Sequence, residues 1–386
     1  MRIIHVVTLV APNGAFGGPV RVALNLASEL QSQGHEVIVV GSTRDYDPIP
    51  RTVGGVRVRL WRARQVIPFA GFLGIFVPEL FMWMWRNRRD IDVVHVHMSR
   101  DMVSLPAAAL ALILRKGLVV QTHGMVVESD HWFAPLLDQL LTRPVLSRAS
   151  AVLFLTEQER RGLSHVSHRA RLHRLLNGVP RSEAPRTADI AAEIPEALYL
   201  ARLHERKRPV LFVEAAAELL KLGVSASFAL IGPDQGEGDN VRRAIEGLGD
   251  LAAYVRWEGA LPLEATLARM RDASIYVLPS VQEPFPMAVL EAMSVGLPVI
   301  VTDSCGLADV ITATGCGIVV DETQESLVDA MRYLLVDEAA RHRMSQAAMT
   351  AALEQCDMTT IGQQLLDIYE RANVSRSETS TKATTE

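Results

Sequence analysis

Short β-branched apolar runs alternate with helix-period segments along most of this chain, and that alternation leaves few folds open. In the first half the runs are Ile3–Val10, Glu36–Gly41, Val56–Leu60, Val93–His97, Val119–Thr122 and Ala151–Leu155, with amphipathic stretches such as Pro19–Gln33 and Asp101–Lys116 between them. Strands separated by helices run parallel, because a crossover returns the chain to begin the next strand in the same direction. Such sheets carry helices on both faces, so the fold class is α/β. The rhythm pauses at a Pro/Ala/Thr-rich stretch, Pro180–Pro195, and resumes with Ala197–Leu200, Ser227–Ile231, Tyr254–Trp257, Ile275–Pro279 and Pro298–Thr302. A length of 386 residues suits two such domains. The expected division is a first domain over 1–180, a linker over 181–196 and a second domain over 197–358. A late helix over 359–374 is expected to pack back on the first domain, ahead of a polar, disordered tail over 375–386.

Composition bears on the setting. Cys305, Cys316 and Cys356 have no CxxC spacing and cannot all pair, which points to a reducing compartment and no structural zinc. The run Ile3–Val10 is too short for a secretory leader and lacks a cleavage site, so a cytoplasmic location is expected. Residues 1–180 carry 21 basic and 13 acidic side chains, a net +8, and the remainder carries 18 against 31, a net −13. Only the first domain is therefore suited to an anionic partner, unless the asymmetry is no more than surface composition. No nucleic-acid partner is expected.

In open parallel sheets ligands sit beyond the carboxyl ends of strands. Three segments fall there. Asn13-Gly14-Ala15-Phe16-Gly17-Gly18-Pro19 follows the first strand, and glycines there let backbone amides approach a phosphate, or simply make a tight turn. It is neither a G-x-G-x-x-G fingerprint nor a Walker loop. The segment Ala201–Arg208 puts Arg202, Arg206, Lys207 and Arg208 within seven residues, and Lys207 is one of only four lysines in the chain. These cations could neutralise a diphosphate, or form a solvated basic loop. The third segment runs Pro279-Ser280-Val281-Gln282-Glu283-Pro284-Phe285-Pro286-Met287-Ala288-Val289-Leu290-Glu291. A helix is expected to open near Pro286, leaving amides from about Phe285 to Ala288 free. Glu283 could hold sugar hydroxyls, and Glu291 could accept from a ribose diol.

Here the residues resemble a family. Glu283 to Glu291, followed by Ala292-Met293 and Gly296-Leu297-Pro298-Val299-Ile300, resembles the E-x7-E signature of the family-four retaining glycosyltransferases of GT-B fold (glycosyl transferases group 1). Arg202-Leu203 with Lys207 resembles their donor-phosphate motif, and Asn177-Gly178-Val179 their turn at the end of the first domain. Gly17-Gly18 and Gly34-His35-Glu36-Val37 are similar to their opening segment. The resemblance implies a GT-B fold, two doubly wound Rossmann-like domains facing across a cleft. It implies a nucleotide-diphosphate sugar as co-substrate, UDP before GDP, with no cofactor or metal required. Arg202 and Lys207 would bind the diphosphate, Glu291 the ribose, and Glu283 with the backbone of Phe285, Pro286 and Met287 the transferred sugar. His123, in Thr122-His123-Gly124, would meet the sugar from the first domain, while His95 and His97 are read as structural. Two departures stand out. The family's usual Gly-Phe-Gly is Pro284-Phe285-Pro286 here, which removes two backbone donors, and its usual Gly before the arginine is Ala201.

No Ser-His-Asp set, metal-ligand spacing or paired nucleophile is evident. That suits stabilisation of a leaving diphosphate by preorganised charge. The family is thought to attack on the same face, the leaving phosphate taking the acceptor's proton. Alternatives on the same fold are a nucleotide-sugar epimerase, a disaccharide phosphorylase, or a non-catalytic nucleotide-sugar-binding protein. The acceptor is left open, and the segment that bears on it is Val66–Trp85, an apolar stretch with Phe69, Phe72, Phe76, Phe81, Trp83 and Trp85, followed by Arg86, Arg88 and Arg89. Either these helices pack on the sheet, or they form an interfacial patch on anionic lipid, suiting a lipid-linked or cell-envelope glycan acceptor. Pro68, Pro78 and Glu79 speak against a transmembrane helix.

Overall fold

The computed structural model describes residues 1–12, 17–67, 71–126, 134–180 and 194–382. Asn13 to Phe16, Pro68 to Ala70, residues 127–133, residues 181–193 of the expected linker and the last four residues lie outside them. The chain divides into two compact units, one formed by Met1–Ala11, the residues from Gly17 to Gly178 and those from Met358 onward, the other by Val179–Asp357 together with Pro12.

Along unit one the strands are β1 (Arg2–Val10), β2 (Glu36–Thr43), β3 (Thr52–Val53), β4 (Val56–Arg62), a small ribbon of β5 (Arg64–Gln65) and β6 (Ile75–Phe76), β7 (Val93–His97), β8 (Gly117–Gln121), β9 (Ala151–Phe154) and β10 (Leu172–Arg174). Helices α1 (Gly17–Ser32), α2 (Pro78–Arg86), α3 (Ser104–Ile113), α4 (Ala134–Leu137), α5 (Arg143–Arg148) and α6 (Glu157–Val166) lie between them. The main sheet runs β10-β9-β8-β7-β1-β2-β4-β3, parallel throughout except for β3 on β4. From β1 the chain works outward to β4, returns beside β1 at β7, and works outward again. Strand order therefore reverses between β1 and β7. All five residues of β7 are buried, the signature of a strand covered on both faces. Three of the side chains buried in this central pair are histidines: His5, His95 and His97.

Unit two contains β11 (Glu196–Leu200), β12 (Ser227–Ile231), β13 (Val255–Trp257), β14 (Ile275–Leu278), β15 (Val299–Thr302) and β16 (Gly317–Val320). Its helices are α7 (Pro209–Lys221), α8 (Gly238–Glu246), α9 (Thr266–Arg271), α10 (Met287–Ser294), α11 (Ala308–Thr314), α12 (Gln324–Val336) and α13 (Glu338–Cys356). The sheet order β13-β12-β11-β14-β15-β16 is parallel and reverses between β11 and β14. Strand β16, absent from the sequence reading, fits beside β15 because Gly317 has no side chain; a Cβ there would overlap the Val299 carbonyl oxygen.

The last helix, α14 (Met358–Lys382), returns to unit one. It packs on α1, β7 and β8 and buries Ile361, Leu365, Tyr369 and Ala372, one face at helical spacing. Gly117, opening β8, admits it closely: a Cβ would come 3.1 Å from the Ala372 carbonyl oxygen. The helix runs on from Ser375 to Lys382, through residues whose composition suggests a tail. A helix nucleated by a docked face extends at little cost per residue.

Candidate active site

Loops that leave neighbouring strands at a reversal point part in opposite directions, which opens a crevice at the carboxyl ends. In unit two the reversal lies between β11 and β14, and the segments leaving those strands are the basic Ala201–Arg208 and the Glu283 loop. The two are tied together. The Val281 N–H donates to the Arg206 carbonyl at 3.0 Å, and Arg206 Nη1 donates to the Gln282 carbonyl at 2.9 Å. Arg208 and Gln282 have φ of 53° and 50°, left-handed conformations that cost non-glycine residues about 1–3 kcal/mol each. Arg208 is followed by Pro209, whose fixed φ suits the first turn of α7.

Lys207 is not on a solvated loop. It is buried, and its ammonium hydrogen-bonds Glu283 Oε2, an oxygen that Arg206 Nη2 approaches at 3.7 Å. Burial pushes the Lys207 pKa down, and the Glu283 charge opposes that shift. Burial likewise lowers Arg202, against the pull of Glu283; its Nη1 donates to Gln235 Oε1 at 2.9 Å. Lys207 and Arg206 thus face one carboxylate whose charge also reaches Arg202, and the surplus positive charge suits an anion. The floor beneath them is rigid. Tyr199 and Tyr276 donate to the carbonyls of Arg202 and Leu200 at 3.1 and 3.0 Å, and burial holds both phenols far above their ordinary pKa. At the end of β12, Gly232 has φ 150°, and any Cβ would overlap the Ala201 carbonyl oxygen. The close approach is thus supplied from β12, beside the alanine that replaces the family's glycine.

Helix α10 opens at Met287, with Pro286 at the N-cap and no side-chain cap. The first N–H to bond back is that of Val289, to the Pro286 carbonyl at 3.1 Å, so the amides of Met287 and Ala288 precede any intrahelical partner. Phe285 is half-buried, and Pro286 and Met287 are buried. Glu291 is buried in the second turn of α10, and its charge and that of Glu283 both act on Tyr276. Arg202, Lys207, Glu283 and Glu291 are therefore brought into one neighbourhood.

In unit one His123 follows β8, with φ 52° beside Gly124 at 74°. Glu159 of α6 holds this turn. Its Oε1 accepts from Thr122 Oγ1 and the Gly124 N–H at 2.6 Å each, and its Oε2 from the Leu155 N–H at 2.7 Å. The half-buried His123 ring has Nε2 2.8 Å from His97 Nδ1, and His97 Nε2 lies 3.1 Å from His5 Nδ1. The Tyr369 hydroxyl lies 2.6 Å from His95 Nδ1 and 3.3 Å from His5 Nε2. Burial keeps all four imidazoles neutral, lowering His5 and His123 to about 3 and holding His95 and His97 well below 6.5. Asn177-Gly178-Val179 also gains a physical reason. Asn177 Oδ1 accepts from Gln121 Nε2 at 3.0 Å, and a Cβ on Gly178 would press on Met358 Cε at 2.8 Å. Gly17 and Gly18 are the first residues of α1, and a Cβ on Gly18 would meet open space, so packing within the unit does not demand glycine at Gly18.

Sequence reasoning missed Glu159 and Tyr369. The available signal for Glu159 was Thr156-Glu157-Gln158-Glu159, a capping-box spacing in which Thr156 Oγ1 accepts from the Glu159 N–H at 3.2 Å. Nothing local marks Tyr369.

The family model of glycosyl transferases group 1 matches residues 181–350, and that of glycosyltransferase family 4 matches 16–183. The chain is 26% identical over 382 residues to an alpha-D-kanosaminyltransferase of Streptomyces kanamyceticus, covering 89% of this chain and 97% of that protein. It is 25% identical over 370 residues to a phosphatidyl-myo-inositol mannosyltransferase of Mycobacterium tuberculosis, covering 92% and 93%. In fold it is similar to Anabaena Alr3699/HepE, solved with UDP and glucose, at a TM-score of 0.73 and 17% identity over 95% of this chain and 98% of that one.

Two measurements follow from the charges. Glu283→Ala leaves a buried ammonium without its anion and is expected to lower stability by up to about 3 kcal/mol, read as a fall in melting temperature. Adding Lys207→Met should return part of the loss; a double variant no more stable than the single one contradicts mutual neutralisation. The unfolded chain protonates histidine near 6.5, whereas the folded chain keeps these four neutral. The unfolded state therefore binds more protons below that value, so stability is full above about pH 6.5 and falls as pH drops toward about 3. A melting temperature that does not move between pH 7 and pH 5 sinks this reading.

Proposed function

The chain belongs to the family-four glycosyltransferases of GT-B fold, and on that premise we propose that it moves a sugar from a nucleoside-diphosphate donor, UDP before GDP, to a hydroxyl acceptor with retention at the anomeric carbon. The observation that carries this reading is the buried Lys207–Glu283 pair beside Arg202 at the sheet reversal of unit two. A diphosphate entering there takes the ammonium from Glu283 and brings two negative phosphates to three cations. The freed carboxylate then accepts hydroxyls of the transferred sugar. Departure of the diphosphate is stabilised by Arg202, Lys207 and the first amides of α10, groups oriented before the reaction begins. Glu291 takes the ribose, and Gly17 and Gly18 leave room for a close approach to the donor at the start of α1. His123 is a donor-sugar contact from unit one. With Pro284 and Pro286 in place of glycines, the backbone contributes fewer bonds to the sugar than in the family pattern, and Phe285 and Met287 contribute amides. Catalysis of this kind routes no step through a metal. The HepE structure, solved with UDP and glucose, supports a uridine donor.

The acceptor is proposed to be membrane-borne, as the name of the mannosyltransferase relative suggests. The apolar stretch after β4 divides its residues. Ile75, Val77, Leu80 and Met84 are core, whereas Val66, Ile67, Met82 and Trp85 are each about half exposed. Arg88 lies over the Trp85 ring at 5.3 Å, with Arg86 and Arg89 alongside in sequence. Exposed apolar side chains with a guanidinium group beside them suit the headgroup level of an anionic leaflet. No helix among the described residues is long and apolar enough to cross a membrane.

Arg202→Ala and Lys207→Ala are each expected to reduce sugar transfer by orders of magnitude, measured against a donor chosen by thermal shift from UDP-, GDP- and ADP-sugars. Near-normal transfer by both ends the assignment, and product from donor alone redirects it to an epimerase. On the membrane side, the protein should float with anionic liposomes at low salt and lose that binding with Trp85→Ser. Failure of the wild-type protein to float removes the lipid contact and leaves the transferase reading intact.

A further inference from the structure

Arg202 is flanked from both sides, because β11 lies between β12 and β14. From the β14 side comes the charge of Glu283. From the β12 side come residues 232–238, which carry the pairing of β11 and β12 past the strand ends. The Leu203 N–H donates to the Pro233 carbonyl at 2.9 Å, and the Leu203 carbonyl accepts from the Gln235 and Glu237 N–H groups at 3.0 and 3.2 Å. Leu203 is fully buried, so this backbone is anchored beside Arg202. Asp234 closes the turn. Its Oδ1 accepts from the Gly236 and Gly238 N–H groups at 2.9 and 2.8 Å, and a Cβ on Gly238 would overlap that carboxylate. Gln235 is thereby held to Leu203 by its backbone and returns its side chain to Arg202.

The Gln235 amide meets Arg202 Nη1 at 2.9 Å, the only side-chain hydrogen bond of that arginine among the described residues. A guanidinium only donates, so the atom that faces it must be the amide oxygen. A carboxylate in that place would accept as well, and more strongly, but it would cancel one positive charge. We propose that Gln235 is a positioning residue for the donor diphosphate, aiming the Arg202 guanidinium through a neutral oxygen so that the arginine keeps its charge for the phosphates. This role rests on the reading of Arg202 as a diphosphate ligand, and it adds the turn after β12 as a third wall of that site.

Arg202 and Lys207 are thus held by unlike partners. Lys207 is paired with a carboxylate, and that attraction must be given up before another anion takes its place. Arg202 spends one N–H on a neutral amide and leaves the rest of its fork to a ligand. A side chain ordered before the ligand arrives loses little rotamer freedom on binding, which is the gain of preorganisation. A role confined to the structure of the turn would be indifferent to charge at position 235, provided that an acceptor stays there.

The test is calorimetric titration of the full-length protein with UDP, GDP and ADP, taking forward the one that binds most tightly, with the melting temperature of each variant recorded alongside. Gln235→Glu keeps the acceptor and the chain length and adds a charge. It should melt no lower than the wild type, yet bind the diphosphate about tenfold more weakly or worse. Gln235→Met removes the acceptor at nearly the same volume, and should weaken binding by about three- to tenfold, the worth of one hydrogen bond. Gln235→Glu binding as tightly as the wild type overturns the proposal. So does affinity lost only in step with a fall in melting temperature, or a Gln235→Met variant that binds like the wild type. Wild-type protein that binds none of the three nucleotides ends the donor-site reading and the role of Gln235 with it. Binding by the wild type with an indifferent Gln235→Glu ends the role of Gln235 alone.

Discussion

An ammonium taken out of water needs an anion, and unit two is organised around that need. Lys207 sits at the sheet reversal because β11 ends just before it, and it can be buried there only because Glu283, 76 residues later, arrives from β14. Two left-handed residues, the Tyr199 and Tyr276 hydroxyls and the missing side chain of Gly232 hold the two loops in that arrangement. A buried ion pair adds little to stability, since desolvation offsets most of its attraction. Under the proposed reading its value is that it is exchangeable: a diphosphate would be a better anion for these cations than one carboxylate. On that reading the fold stores its binding site as a pair that a ligand can divide.

Much of this was legible in the sequence, for a physical reason. In a parallel α/β unit the strand order determines which loops are neighbours, so motifs at two strand ends can be assigned to one site before their side chains are located. Arg202, Lys207, Glu283 and Glu291 were readable in that way. The direct contact of Lys207 with Glu283 was not, because it depends on φ values at Arg208 and Gln282 that no composition announces. Strands β10 and β16 escaped notice because they are three and four residues long, lie at sheet edges and are mostly half-buried, so they lack the apolar run that marks a central strand. Glu159 and Tyr369 were hidden for a third reason. Each acts on a residue far away in the chain, and neither residue type in its local pattern differs from an ordinary helix position.

The two units solve the problem of buried polar groups in opposite ways. Unit two opposes formal charges around Lys207. Unit one buries three imidazoles on adjacent strands and keeps them neutral, hydrogen-bonded among themselves and to His123 and Tyr369. A neutral line can be long, since no member carries the desolvation penalty of an ion. Relatives at about one quarter identity share the family of this chain, and that degree of likeness conveys the scaffold better than the identity of the sugar.

Helix α14 has one more consequence, in the order of events at the ribosome. Domains of a growing chain ordinarily fold as they emerge, the first-made first. Here the partner hydroxyl for His5 and His95, and the apolar face that covers β7 and β8, are translated after the whole of unit two. The sheet of unit one must therefore wait uncovered on that face while the unit made after it completes itself.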